Sequence, residues 1–239
     1  IVPAAVAASA SVADLQRLVR WAAASGTPLV ARGAGSAMGG GNVGEGVVVD
    51  LTALGPARLE VHAADRKAQV SAGTTAGALD AAARAHGLRC PPMPSSGKWA
   101  TLGGMAATNA AGASAVRSGS VRNWISALEW VDAEGESHRW ARGEAIEQGP
   151  RWVALEGRIR KDEPAIRARF PRVRKNSSGY AVDAVLDSGD LLDVLIGSEG
   201  TLGLMTGLEC RLAPLPGATA GLRIALRSLD DLADVVNAL

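Results

Sequence analysis

Between Leu29 and Leu51 the sequence reads LVARGAGSAMGGGNVGEGVVVDL. Its flanks, Thr27–Ala31 (TPLVA) and Gly46–Leu51 (GVVVDL), have the length and β-branched content of short buried strands. Between them lies a loop with glycine at nearly every second position. So few side chains contribute little to packing, so the loop constrains the fold through the space it leaves. The order is strand, loop, strand, with no helix between. A GxGxxG dinucleotide fingerprint needs a following helix to meet the pyrophosphate. Gly33 and Gly35 fit that pattern, but its third position is Met38. A Walker-type phosphate loop fails as well, because Gly97-Lys98 precedes Trp99 rather than Ser or Thr. What remains is a backbone nest. In Arg32-Gly33-Ala34-Gly35-Ser36 small residues let N–H groups converge on an anion, and Ser36 adds a hydroxyl donor.

Two further segments share this style. Pro94-Ser95-Ser96 leads through Gly97–Ala100 to TLGGMAATNAAG, Thr101–Gly112, where hydroxyls and an amide sit among glycines and alanines. Gly197–Gly203 (GSEGTLG) repeats it near the C-terminus. Such composition suits backbone lying flush against an extended ligand. The 29 glycines are well above the average of about 7% and are clustered rather than periodic, which excludes a collagen-like chain.

Around these segments the pattern alternates. Ser11 caps a helix from Val12 that Gly26 ends. Arg58–His62 and Lys67–Ala72 form a hairpin, and Thr74 or Thr75 caps a helix closed by Gly87. A long Pro/Gly/Ser/Ala stretch, Pro91–Gly119, follows. Ile125–Asp132 and Glu136–Trp140 flank a hairpin turn, and 141–172 is charged, partly helical and expected at the surface. Asp190–Leu195 is a short helix or strand, Leu204–Leu212 a strand, Leu222–Leu226 a strand, and Ser228 caps a last helix. Pro214 and Pro216 mark a hinge. One strand and one helix bury no core of their own, so 217–239 is expected to begin another domain of a longer protein.

Composition closes off several functions. Net charge is +1, which argues against nucleic acid. The basic cluster Arg167–Lys175 is interrupted by Phe170, Pro171 and Val173 and is expected to be a solvated loop. Cys90 and Cys210 lack metal or disulfide spacing and are expected to be buried thiols. No apolar run reaches the ~18 residues of a membrane span, and the apolar start lacks a basic leader region; a cytoplasmic setting is the expectation. No HxH-type metal cluster is present. Ser177 and Ser178 lack a His/Asp partner pattern for a hydrolase. The Asn176-Ser177-Ser178 sequon is a chance match, and Asp187, Asp190 and Asp193 are expected to be caps and surface charges. The scattered tryptophans are expected to pack in the core or at its rim.

PLVARGAGSAMGG (Pro28–Gly40), GVVVDL (Gly46–Leu51), PPMPSSGKWATLGGMAATNAAG (Pro91–Gly112), KNSSGY (Lys175–Tyr180) and IGSEGTLGLMT (Ile196–Thr206), in this order, resemble the FAD-binding (PCMH-type) domain of the vanillyl-alcohol oxidase-like FAD-linked oxidases. Within that superfamily the segments look like the branch of glycolate oxidase flavin subunits, D-lactate dehydrogenases and D-2-hydroxyglutarate dehydrogenases. The resemblance implies an α+β fold: two α/β subdomains over 1–216, split near 90–120, clasp FAD, and 217–239 begins a truncated cap. It implies that Arg32, Gly33, Ala34, Gly35, Ser36 and Ala37 bind the pyrophosphate. Pro94, Ser95, Ser96, Thr101, Gly103, Gly104, Ala107, Thr108, Asn109 and Gly112 would line the flavin and ribityl path, with Glu199, Gly200 and Leu204 towards the adenine side or closing the pocket.

Some relatives tether FAD through a histidine at the position of Ser36, so noncovalent FAD is expected here. The resemblance also implies a flavoprotein oxidoreductase for a small D-2-hydroxy acid, delivering electrons to a quinone, an iron–sulfur subunit or another carrier. Its catalytic base is expected beyond residue 239, so this chain alone is expected not to turn over. Lys175 and Asn176 are either substrate-facing or plain loop residues. The alternatives are a non-catalytic FAD- or nucleotide-holding module, and a flavin oxidase for another alcohol or sugar.

Overall fold

A computed structural model of the chain describes residues 1–144, 149–173, 176–177 and 179–239. In chain order the elements are β1 (Ala5–Ala8), α1 (Val12–Ser25), β2 (Leu29–Arg32), β3 (Val47–Asp50), β4 (Leu59–His62), β5 (Lys67–Ser71), α2 (Ala76–Arg84), β6 (Leu88–Arg89), α3 (Leu102–Ala107), α4 (Ala115–Ser118), β7 (Ile125–Val131), β8 (Ser137–Ala141), α5 (Pro150–Lys161), α6 (Glu163–Arg169), α7 (Val182–Ser188), α8 (Leu192–Leu195), β9 (Leu204–Arg211), β10 (Ala213–Pro214) and α9 (Leu232–Ala238). The fold is α+β.

Two main sheets organise it. A three-stranded parallel sheet has the order β1-β3-β2, and a five-stranded antiparallel sheet the order β4-β5-β9-β7-β8. The passage from one to the other falls between Asp50 and Leu59. The parallel pairs need a crossover between β1 and β2, which α1 supplies. Its ends follow from local chemistry: the Ser11 side chain accepts from the Asp14 N–H, and Gly26 takes a left-handed conformation that ends the helix. Leu15 and Val19, one turn apart, bury one face of α1 against Val49, Leu51 and Leu204.

The larger core lies on the antiparallel sheet. β9 is its centre, paired antiparallel to β5 and β7, and its residues are buried from Leu204 through Leu208. A strand covered on both faces shows such unbroken burial rather than alternation. α2 and α3 pack their apolar faces here through Leu79, Ala83, Leu102 and Met105. Cys90 and Cys210 are free thiols in this core; burial pushes Cys90 up to about 12 and raises Cys210 well above its ordinary value.

Residues 91–119 contain α3 and α4. Three expectations are corrected. The charged stretch after Ala141 is helical, yet it contributes Trp152 and Ile159 to the core. Trp152 meets Trp130 and Trp140 edge to face, at ring-centroid distances of 5.4 and 4.8 Å, so these scattered tryptophans form one cluster. Leu222–Leu226 is not a strand; among the described residues it pairs with no strand edge, and Leu222 and Ile224 are exposed. Asp193 is not a surface charge: it is buried between Arg122 and Arg142. The Arg174-Lys175 and Ser178 positions of the basic and KNSSGY segments lie outside the described residues. Among the described residues no helix is long and apolar enough to cross a membrane.

Candidate functional site

The three small-residue segments meet in one cleft of about 510 Å³, within the usual size range of small-molecule sites. The parallel sheet supplies the first wall. Its strands β2 and β3 close with the Leu51 N–H donating to the Arg32 carbonyl at 2.9 Å, and the loop between them is thrown forward over the cleft. Gly35 takes φ 70°, and Arg32 runs behind it: a Cβ on Gly35 would lie 2.4 Å from the Arg32 guanidinium. Arg32 Nη1 donates to the Asn42 carbonyl at 3.3 Å, so this side chain braces the loop from behind and does not line the cleft. Among the described residues, no backbone N–H from Gly33 to Asn42 has a protein acceptor. That row of unused donors, with no side chains to cover it, is what an extended anion requires.

α3 provides the second wall, and its N–H groups are differently employed. Leu102 N donates to the Thr74 carbonyl at 2.8 Å, Gly103 N to the Ala72 carbonyl at 2.9 Å, and Gly104 N to the Thr101 hydroxyl at 3.3 Å. The start of α3 is therefore spent on docking, and the unused donors are those of the first loop. The glycines of α3 are contact points. A Cβ on Gly103 would lie 2.6 Å from that of Ala72, and one on Gly33 only 2.2 Å from Thr101 Oγ1. Gly33 thus lets the first loop touch the cap of α3.

The third segment is held against the far end of α3. Gly197 N donates to the Ala106 carbonyl and Glu199 N to the Ala107 carbonyl, each at 2.9 Å. Glu199 itself takes φ 53°. Its carboxylate reaches to 3.3 Å from where a Gly41 Cβ would stand, and a Cβ on Gly200 would lie 3.2 Å from that of Ala31. The third loop therefore closes against the first.

Of the residues expected at the site, Gly33, Ala34, Gly35, Ser36, Ala37, Pro94, Ser96, Thr101, Gly103, Gly104, Ala107, Thr108, Glu199 and Gly200 line this cleft. Arg32, Ser95, Asn109, Gly112 and Leu204 do not. Ser95 points to solvent and Leu204 is in the core. Gly112 is a contact point, where a Cβ would lie 1.9 Å from the Met93 carbonyl oxygen. Buried Asn109 takes φ 46° and accepts from the Arg122 N–H at 3.2 Å, joining α3 to the next turn. Met38, Gly39, Gly41 and Asn42 extend the lining beyond expectation; the glycine-rich composition of the whole loop was their signal. Gly203, the last glycine of the third segment, also lines it, as do Met105 and Met205, which no local pattern marks.

Behind the cleft, Asp193 anchors the third segment. Arg142 Nη2 donates to its Oδ1 at 2.6 Å, Arg122 Nη1 at 3.3 Å, and the Ser188 hydroxyl to its Oδ2 at 2.8 Å. Burial raises the Asp193 carboxyl, but the Arg142 hydrogen bond and charge outweigh it and hold the group below the usual carboxylate range.

Residues 3–141, more than half of the chain, match the FAD binding domain family. The chain is 33% identical to a D-lactate dehydrogenase of Archaeoglobus fulgidus over 93% of its own length and 42% of that protein's. It is 32% identical to a D-2-hydroxyglutarate dehydrogenase of Xanthomonas citri pv. viticola (98% and 42%) and 28% identical to the glycolate oxidase subunit GlcD of Bacillus subtilis (98% and 42%). It thus spans about two fifths of the length of these curated relatives. Among solved structures, 6-hydroxy-D-nicotine oxidase from Arthrobacter nicotinovorans shares the fold at TM-score 0.65 and 19% identity, covering 90% of this chain and 38% of that one. An alkyldihydroxyacetonephosphate synthase does so at 0.61 and 18%, covering 89% and 32%.

Proposed function

The chain belongs to the FAD binding domain family, and from that premise we infer that it is the cofactor-holding part of an FAD-linked oxidoreductase acting on a D-2-hydroxy acid such as lactate, glycolate or 2-hydroxyglutarate. The names of its relatives support the substrate class. The observation that carries the reading is the row of N–H groups from Gly33 to Asn42 without protein acceptors, set in a loop with almost no side chains.

These N–H groups, with the Ser36 hydroxyl, take the pyrophosphate oxygens. Thr101, Gly104, Ala107 and Thr108 of the α3 wall, with Pro94 and Ser96, hold the flavin and ribityl portion against small side chains. Glu199 and Gly200 close the groove towards the adenosine end. Bound there, the flavin supplies the acceptor for a hydride leaving the substrate's α-carbon. Ser36 offers no imidazole for a covalent tether, so the cofactor is held noncovalently. Residues 1–216 form this unit, and 217–239, almost wholly exposed, belong to a separate one. Electrons pass on to a quinone, an iron–sulfur subunit or another carrier, in a cytoplasmic setting.

The test is a visible spectrum of the purified chain before and after addition of FAD. Flavin absorbance that passes a filter after heat or acid denaturation is expected. Absence of flavin together with no uptake of added FAD refutes the reading, and flavin that stays with the denatured chain refutes the noncovalent assignment.

A further inference from the structure

Among the described residues that line the cleft, Glu199 brings the only charged side chain. Its Oε2 lies 3.3 Å from where a Cβ on Gly41 would stand, beside the last donors of the unused N–H row. Among the described residues this carboxylate has no hydrogen-bond or ion-pair partner. The backbone beneath it takes φ 53°, which residues other than glycine rarely adopt. Such a conformation persists only where its surroundings hold it, and here they do. Glu199 N donates to the Ala107 carbonyl at 2.9 Å, and the N–H and hydroxyl of Thr201 both donate to the Ser198 carbonyl, at 3.0 and 2.6 Å. With its own proton committed, Thr201 Oγ1 accepts from the Tyr180 hydroxyl at 2.6 Å. These bonds fix the turn from which the carboxylate projects. Elsewhere on the same loop the charge is opposite: the Arg32 guanidinium stands behind Gly35 and, among the described residues, has no carboxylate partner.

We propose that Glu199 is a specificity-determining residue, which makes the cleft select a flavin dinucleotide over a flavin mononucleotide by accepting from the ribose hydroxyls of the adenosine half. The row of N–H groups attracts an anion, and a carboxylate at the end of that row repels one. Only a ligand that sets hydroxyl donors next to its phosphates satisfies both. FAD does so: its diphosphate is followed by a ribose with two hydroxyls, which a carboxylate takes as charge-assisted hydrogen bonds. FMN ends in a phosphate of about −1.5 to −2 charge at neutral pH, with no donor beyond it to offer Glu199. Inorganic phosphate is disfavoured for the same reason. The cation behind Gly35 and the anion beside Gly41 also set the ligand's direction, with the diphosphate towards Gly35 and the ribose towards Gly41. The inference rests on the flavin-linked reading above and adds to it the residue that sorts the two flavin nucleotides.

Flavin-fluorescence titration of the full chain with FAD and with FMN tests this, using Glu199→Gln and Glu199→Lys beside the unaltered protein. Glu199→Gln keeps the shape and loses the charge. It is expected to weaken FAD about threefold and to tighten FMN about threefold, so that the FAD-to-FMN affinity ratio falls about tenfold. Glu199→Lys, whose ammonium attracts the terminal phosphate, is expected to lower the ratio further. A general loosening of the site would weaken both flavins, so tighter FMN is the signature of the proposed role. A second titration, by calorimetry, uses ADP and dideoxy-ADP, which lacks both ribose hydroxyls. The unaltered chain is expected to favour ADP about tenfold, and Glu199→Gln to keep only about a threefold preference. An unchanged FAD-to-FMN ratio in both variants, or equal binding of ADP and its dideoxy form by the unaltered chain, overturns the proposal, while FAD uptake by the same samples leaves the flavin reading standing. No uptake of FAD by the unaltered chain sinks the flavin reading and this inference with it.

Discussion

Gly33 is the point where the first loop touches the cap of α3, and substituting it isolates that contact. The nearest atom to an added Cβ is Thr101 Oγ1 at 2.2 Å, and the next two, Thr101 Cβ and Cγ2, are at 3.4 and 3.5 Å. Only the hydroxyl obstructs, and it is fixed because it accepts from Gly104 N as the cap of α3. Gly33→Ala must therefore displace either the loop or the cap. Overpacking of this kind costs about 1–3 kcal/mol, which for a chain of this size lowers Tm by roughly 2–4 °C per kcal/mol. Thr101→Ala alone loses the cap, about 1 kcal/mol. In the Thr101→Ala background, however, the new methyl meets nothing closer than 3.4 Å. The double variant should then be little worse than Thr101→Ala, with a coupling of about 1–2 kcal/mol. Thermal unfolding of the four proteins measures the cycle, and FAD affinity, expected to fall at least tenfold in Gly33→Ala and to recover in part in the double variant, follows it at the site. Additive losses, with Gly33→Ala equally costly in both backgrounds, would refute the close-contact reasoning.

Removing Asp193 leaves Arg122 and Arg142 facing one another in the interior; Asp193→Asn should lower stability by about 3–5 kcal/mol, read from the urea midpoint. Burial raises Asp132 and Asp193, but the bonds from His138 to Asp132 and from Arg142 to Asp193 hold both carboxyls below their ordinary value. Their contribution is complete above the unfolded value near ~4 and is lost as pH falls through the lower folded values, so the urea midpoint should drop below pH ~4 and the drop should be smaller in Asp193→Asn. A thiol reagent at pH 8 should label neither Cys90 nor Cys210 in the folded chain, because both are buried and their thiolates are disfavoured; prompt labelling of either refutes this. Trp152→Ala should cost about 3–5 kcal/mol and erase most near-ultraviolet dichroism, since it dissolves the edge-to-face cluster with Trp130 and Trp140.

Much of this architecture could be read locally. The caps at Ser11 and Gly26, the β-branched run Val47–Asp50 and the two hairpins are decided within a few residues by hydrogen-bonding and conformational preference. α3 escaped because its six residues, LGGMAA, carry two glycines and no amphipathic period; docking of its first N–H groups on Ala72 and Thr74 stabilises it instead. Leu222–Leu226 shows the converse, a local strand pattern that no edge completes among the described residues.

The sequence by itself determined that three glycine-rich segments would present bare backbone, because a missing side chain is a local property. Only the tertiary structure decided which glycines line the cleft and which serve contact. Gly35 and Gly104 line the cleft, whereas Gly112 admits the Met93 carbonyl. It also decided that Arg32 braces the loop rather than lining the cleft, and that Asn109 ties α3 to Arg122. Those roles depend on what approaches from distant parts of the chain, and no spacing within a segment encodes that approach.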